Sequence, residues 1–195
     1  MWLFYSNSKA FQKQVIMKRV IVAILLLGSI PAFSQIKSAT LTASGLTCSM
    51  CSKAIYKALL KVPFIKSVDP NVEKSIFTIQ FKEGDKVVPD DVKKAVENAG
   101  FSVASMHITA FFSGTEVYND AHISMGGSTF HFLNVPRQTL QGDKTVTIVD
   151  KNYLPAAQRK KYGKYTTMKC FETGLKETCC PKDHVTSNRV YHVTI

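Results

Sequence analysis

The chain has 195 residues, 45% of them hydrophobic and 20% charged, with a formal net charge of +11. That apolar share is ordinary for a globular protein with a core, and it excludes a disordered chain, a collagen-like chain and a large membrane protein. The length accommodates one large domain or two small ones.

The first informative stretch is MKRVIVAILLLGSIPAFSQ, from Met17 to Gln35. Lys18 and Arg19 form a basic start, Val20 to Leu27 a short apolar run, and Ala32-Phe33-Ser34 puts small residues where a signal peptidase reads. The run is about half the ~20 residues a spanning helix needs. A cleaved signal peptide over 17–34 is therefore expected, with no stable membrane anchor after cleavage and a periplasmic or secreted product. Residues 1–16 read as an over-extended start, or a lengthened basic region, ahead of a better start at Met17. Removing 1–34 takes away Lys9, Lys13, Lys18 and Arg19 and leaves a net charge of +7. The densest remaining basic run, RKKYGK at 159–164, reads as a solvated helix face, so no nucleic-acid partner is expected.

From residue 38 strand and helix patterns alternate. ATLTASG sets Ala39, Leu41 and Ala43 against Thr40, Thr42 and Ser44, a half-buried strand. Ala54, Ile55, Ala58, Leu59 and Val62 then recur at helical spacing with Lys53, Lys57 and Lys61 opposite, and Pro63 stops that helix. A short strand over 65–72 and a better one over 75–81, with Phe77, Ile79 and Phe81 on one face, come next. PDDVKKAVENAG reads as a helix: Pro89, Asp90 and Asp91 suit its first turn, and Gly100 its end. Its inner stripe is Val92, Ala95, Val96 and Ala99. A fourth strand over 101–109 completes β-α-β-β-α-β, a ferredoxin-like α+β domain assigned to residues 35–110.

Residues 111–195 differ in character. AHISM, STFHFLN, KTVTIVD and RVYHVTI are strand-like runs separated by Gly and Asn turns, with one helical stretch around 154–164. They are expected to form a small β-rich second domain, compatible with an OB-like barrel.

The five cysteines are Cys48, Cys51, Cys170, Cys179 and Cys180, an odd number, so at least one thiol is left over from intramolecular pairing. Cys48 and Cys51 form a C-x-x-C pair where the first strand ends and the first helix begins. The positive end of a helix favours thiolates there. Thiolate ligands select soft ions such as Cu(I) and Zn(II). Two sulfurs satisfy a near-linear Cu(I) but half-fill the four-coordinate shell of Zn(II), so Cu(I) is the leading expectation. A disulfide between residues three apart would constrain little chain. A thiol-disulfide oxidoreductase also uses this spacing, and it stays the alternative reading.

The stretch Gly45-Leu46-Thr47-Cys48-Ser49-Met50-Cys51, with Ala99-Gly100-Phe101 before the last strand, resembles the heavy-metal-associated domain family. That family pattern is G-M-T-C-x-x-C on a β-α-β-β-α-β frame, with A-G-[YF] at the second mark. It occurs in copper chaperones, copper-pump N-termini and the periplasmic mercury-binding protein. The resemblance implies that Cys48 and Cys51 are the metal ligands, for Cu(I) first and Zn or Hg next. It implies a metal-transporting or metal-accepting protein as partner, and binding and transfer or sequestration rather than enzymatic catalysis. It also implies that Leu46, for the usual Met, packs beneath the loop, that Met50 points outward, and that Phe101 packs near the loop. The family's Gly after the first helix is replaced by Phe64, so that turn is expected to differ.

A second cluster, CFETGLKETCCPKDH, places Cys170, Cys179, Cys180 and His184 within fifteen residues. Its spacing fits no standard zinc motif. A disulfide from Cys170 to Cys179 or Cys180 is the first expectation and a second soft-metal site the other. His107, His122, His131 and His192 are read as packing or surface residues, and Met125 and Met168 as core or surface.

Overall fold

In β1 (Gln35–Ser44) the alternation seen in the sequence becomes a strand with Ile36, Ala39, Leu41 and Ala43 buried. The computed structural model describes residues 35–46, 48–178, 180 and 187–195. The signal peptide and leader over 1–34, and Thr47, Cys179 and His184, lie outside the described residues.

β1 leads through a short loop into α1 (Ser49–Leu59), followed by β2 (Ile65–Asn71), β3 (Ile76–Phe81), α2 (Pro89–Asn98) and β4 (Ser102–Val117). β1 lies between β3 and β4, antiparallel to both, and β2 pairs antiparallel with the outer side of β3. This is the β-α-β-β-α-β frame expected from the sequence. Ile55 and Leu59 of α1 and Val92 and Val96 of α2 are fully buried, joining Leu41, Phe77, Ile79, Met106 and Ile108 in one core. The inner face of α1 is rotated from the expected stripe: Ser52 is buried and Ala54 exposed, because the helix meets the sheet through Ser52, Ile55 and Leu59. The turn after α1 closes without glycine, and Phe64 is buried there against Phe81, ring centroids 5.9 Å apart. At the end of α2 the Phe101 N–H donates to the Val96 carbonyl (3.2 Å) and the Gly100 N–H to that of Glu97 (2.9 Å). This Schellman closure requires the left-handed φ of +90° found at Gly100.

The remaining elements are β5 (His122–Met125), β6 (Ser128–Phe132), β7 (Gln138–Ile148), α3 (Ala156–Tyr162), a 3₁₀ turn (Gly163–Tyr165), α4 (Cys170–Thr173) and β8 (Val190–Thr194). The β-rich second unit expected over 111–195 does not close into an OB-like barrel among the described residues. Instead the eight strands form one open sheet in the order β2-β3-β1-β4-β7-β8-β6-β5. The expected junction at 110–111 falls inside β4, which runs on for 16 residues and pairs with β7 from His107 to Val117. The edge that β4 would otherwise leave open, with its unpaired N–H and C=O groups, is covered by β7. Burial follows the same path: the core cluster continues through Phe112, Phe130, Phe132, Val146, Ile148, Tyr153 and Tyr191.

Candidate metal centre

The loop between β1 and α1 brings two sulfurs together. Cys48 is the N-cap of α1 in an extended conformation (φ −157°, ψ 165°), and its carbonyl accepts the Cys51 N–H at 3.1 Å. That first turn folds Cys51 back beneath Cys48, and their Sγ atoms lie 3.2 Å apart. Cys48 is exposed and Cys51 half-buried, so a ligand reaches the pair from solvent. The sulfurs are unbridged; a disulfide would bring them to about 2.05 Å. Two sulfurs on one tetrahedral ion stand about 3.8 Å apart, and on a near-linear ion farther still, so the pair opens to admit one. The first turn of α1 carries no acidic side chain to oppose thiolates at its positive end.

Leu46, Met50 and Phe101 lie where the family resemblance implies. Gly45 turns the chain out of β1 at φ +85°, a value that side chains with a Cβ rarely adopt. Phe101 stands beside it, its Cδ1 within 3.9 Å of where a Gly45 Cβ would be. Leu46 and Phe101 are half-buried and pack against the core, supporting the loop from below. Met50 is 69% exposed and points away from the core.

The second cysteine cluster folds into the C-terminal part of the sheet. Cys170, at the start of α4, and Cys180 are buried against Val190, with Met168 packed alongside. Their sulfurs lie within 4.8 Å of each other, and no disulfide joins two described cysteines. The Cys170–Cys180 bridge offered from the sequence is thus not formed, and Cys179 and His184 lie outside the described residues. Met125 is a core residue. His107 pairs across strands with Thr147, Nδ1 to Oγ1 at 2.9 Å. The other histidines are not separate packing residues. His122 lies opposite His131 in the β5–β6 ladder, and His131 opposite His192 in the parallel β6–β8 ladder. They form one buried row running towards Cys170. Sequence reasoning missed this row because β8 reaches β6 from about sixty residues away. The one available signal was an imidazole recurring within otherwise apolar strands.

The profile of the heavy-metal-associated domain matches residues 40–102, from β1 to the start of β4. Over 86 residues the chain is 30% identical to the mercuric transport protein periplasmic component of Pseudomonas fluorescens, covering 44% of this chain and 93% of that protein. The chain belongs to the heavy-metal-associated domain family. This family member is also 30% identical over 63 residues to the copper chaperone CopZ of Staphylococcus aureus, covering 32% of this chain and 91% of the chaperone. It is similar as well to oxidised MerP from Ralstonia metallidurans CH34, at 31% identity over 35% of this chain and 96% of that one, with a TM-score of 0.32. The family profile ends at residue 102, so the strands from β5 onward extend the heavy-metal-associated domain beyond it.

Proposed function

We propose that this heavy-metal-associated protein holds a soft metal ion, Cu(I) first, between Cys48 and Cys51 and passes it on by thiolate exchange, without catalysing a covalent reaction. The observation that carries the reading is the sulfur pair 3.2 Å apart on an exposed helix start. Each sulfur is reachable, so an acceptor's thiolate enters as one of the two leaves and the ion is never released to water. Soft thiolates favour Cu(I), and also Hg(II) and Zn(II), over hard cations. The receiver is a metal-transporting or metal-accepting protein with its own exposed thiolates. One relative is named as periplasmic, and the basic and apolar start of the chain fits an export signal; we place the activity outside the cytoplasm on those two grounds.

Titrating the reduced protein with Cu(I) against a competing chelator tests this. The expected result is a tight equivalent that is lost in Cys48→Ser/Cys51→Ser. Unchanged stoichiometry in the double variant sinks the proposal. The same short sulfur separation also suits reversible disulfide formation, which keeps thiol-disulfide exchange as a second reading. Catalysed reduction of insulin by the metal-free protein would favour that reading over metal transfer.

A further inference from the structure

Five side chains of metal-ligand type meet in the C-terminal half, none of them in the Cys48–Cys51 loop. His122, His131, His192, Cys170 and Cys180 are all buried, none more than 5% exposed. The ligand atoms of His131, Cys170 and His192 lie within 4.8 Å of one another, and so do those of His122, Cys170 and Cys180; Cys170 belongs to both sets. The Cys170 Sγ is 3.6 Å from His131 Nδ1. A thiolate and an imidazole bound to one tetrahedral zinc also stand about 3.6 Å apart.

The outer partners of the imidazoles point the same way. His131 Nε2 meets the Asp120 carboxylate at 2.9 Å, and His192 Nδ1 meets that of Asp150 at 2.6 Å. His122 Nδ1 meets the Asp120 carbonyl at 3.2 Å. A carboxylate accepts, so each of the first two rings donates its N–H outward and turns a lone pair inward. That lone pair is Nδ1 in His131, facing Cys170, and Nε2 in His192, which has no partner among the described residues although the ring is fully buried. Carboxylate–histidine pairs of this kind orient metal-bound imidazoles. The carboxylates are themselves held: Asp150 by Arg189 at 2.9 Å, and Asp120 by the Asn119 amide at 3.1 Å.

Packing alone accounts for this set poorly. The rings do stack, His122 on His131 at 4.2 Å between centroids, and Phe171 meets His192 edge-on at 5.2 Å. Apolar rings would fill the same space without burying imidazole nitrogens and carboxylates, which lose hydration there.

We propose that Cys170 and Cys180, with two of the surrounding imidazoles of His122, His131 and His192, form a closed four-coordinate site for a divalent ion of the zinc type. On binding, each thiol gives its proton to solvent, and two thiolates balance the dication, leaving a neutral complex in a buried position. The site is enclosed, unlike the exposed Cys48–Cys51 pair, so its ion is retained. It ties α4 and Cys180 to β5, β6 and β8, and its metal affinity adds to folding.

The test uses the reduced full chain carrying Cys48→Ser/Cys51→Ser, which silences the exposed loop and keeps the outcome independent of the function proposed above. Co(II) is titrated and read by absorption. One equivalent is expected, with the d–d bands of a tetrahedral site and thiolate-to-Co(II) charge transfer, displaced by one equivalent of Zn(II). Cys170→Ser and Cys180→Ser should each weaken the charge-transfer bands. Asp150→Asn should lower affinity about 10- to 100-fold while leaving those bands in place. Should either cysteine variant fail to fold, the parent chain still decides: strong chelation must lower its melting temperature, and one Zn(II) must restore it. No Co(II) bound by the folded parent, binding of Cu(I) but not Zn(II), or charge transfer surviving both cysteine variants would overturn the site. So would a Cys170–Cys180 disulfide in metal-free protein purified under native conditions.

Discussion

Gly45 shows how one residue sets the loop that presents the sulfurs. Its φ of +85° lies in the left-handed region, while the nearest atom to an added Cβ, Phe101 Cδ1, is 3.9 Å away. A methyl group therefore fits in space, and the penalty is conformational. Gly45→Ala is expected to destabilise the fold by about 1 kcal/mol in urea unfolding. It should also weaken Cu(I) binding, because Cys48 follows three residues later; equal stability and affinity would show that the loop relaxes freely. Cys48 and Cys51 are legible in the sequence because a three-residue spacing at a helix start makes them neighbours without help from the rest of the chain. His122, His131 and His192 are not legible in that way. Their row exists only because β8 pairs in parallel with β6 and β6 with β5, a strand order that no local pattern encodes.

At the scale of elements, α2 is tied to the C-terminal strands through Asp90. In the sequence this residue reads as a first-turn charge, and that is half of its role. Its carboxylate accepts from the Tyr153 hydroxyl at 2.8 Å and from Arg189 Nε at 2.8 Å, while its own N–H donates to the Tyr191 hydroxyl at 3.3 Å. Arg189 also holds Asp150, the carboxylate behind His192, so one guanidinium joins the helix to the histidine row. Burial alone would raise the Asp90 carboxyl, but hydrogen bonding and charge from Arg189 outweigh it, and the folded value lies below the ordinary 3.8. The sign follows. With the folded value depressed, the contribution to stability is fully present above the unfolded value and is lost as pH falls through the folded one. Asp90→Asn should then destabilise the protein by about 1–2 kcal/mol at neutral pH, a figure reduced for the partial exposure of the pair. The gap between wild type and variant should close below about pH 4. Urea unfolding of both proteins at neutral and acid pH checks this, and a gap that widens in acid would contradict it.

For the whole molecule, the change of composition near residue 111 gave a misleading boundary. Strand runs with a single helical stretch among them read as a separate β domain, because a sequence shows where strands form but not which edges they join. Here β4 is both the last strand of the ferredoxin-like frame and the first of the extension. Ile108, fully buried in β4, lies opposite Ala39 of β1 on one side and Val146 of β7 on the other. A shared strand and a shared core make unfolding of one half expose apolar surface of the other, so the described residues should unfold in a single transition. Ile108→Ala separates this from two independent domains. The lost side chain leaves a cavity and should cost about 3 kcal/mol. In one cooperative unit that loss appears equally in amide exchange of β3 and of β8, although neither strand touches β4 in the ladder. In two units it would appear in one half and spare the other. Native-state hydrogen exchange read peptide by peptide distinguishes these, because the most protected amides of each half report the opening that exposes them. Equal loss on both sides is expected, and loss confined to β1–β4 would mean that the continuous sheet does not couple its two halves.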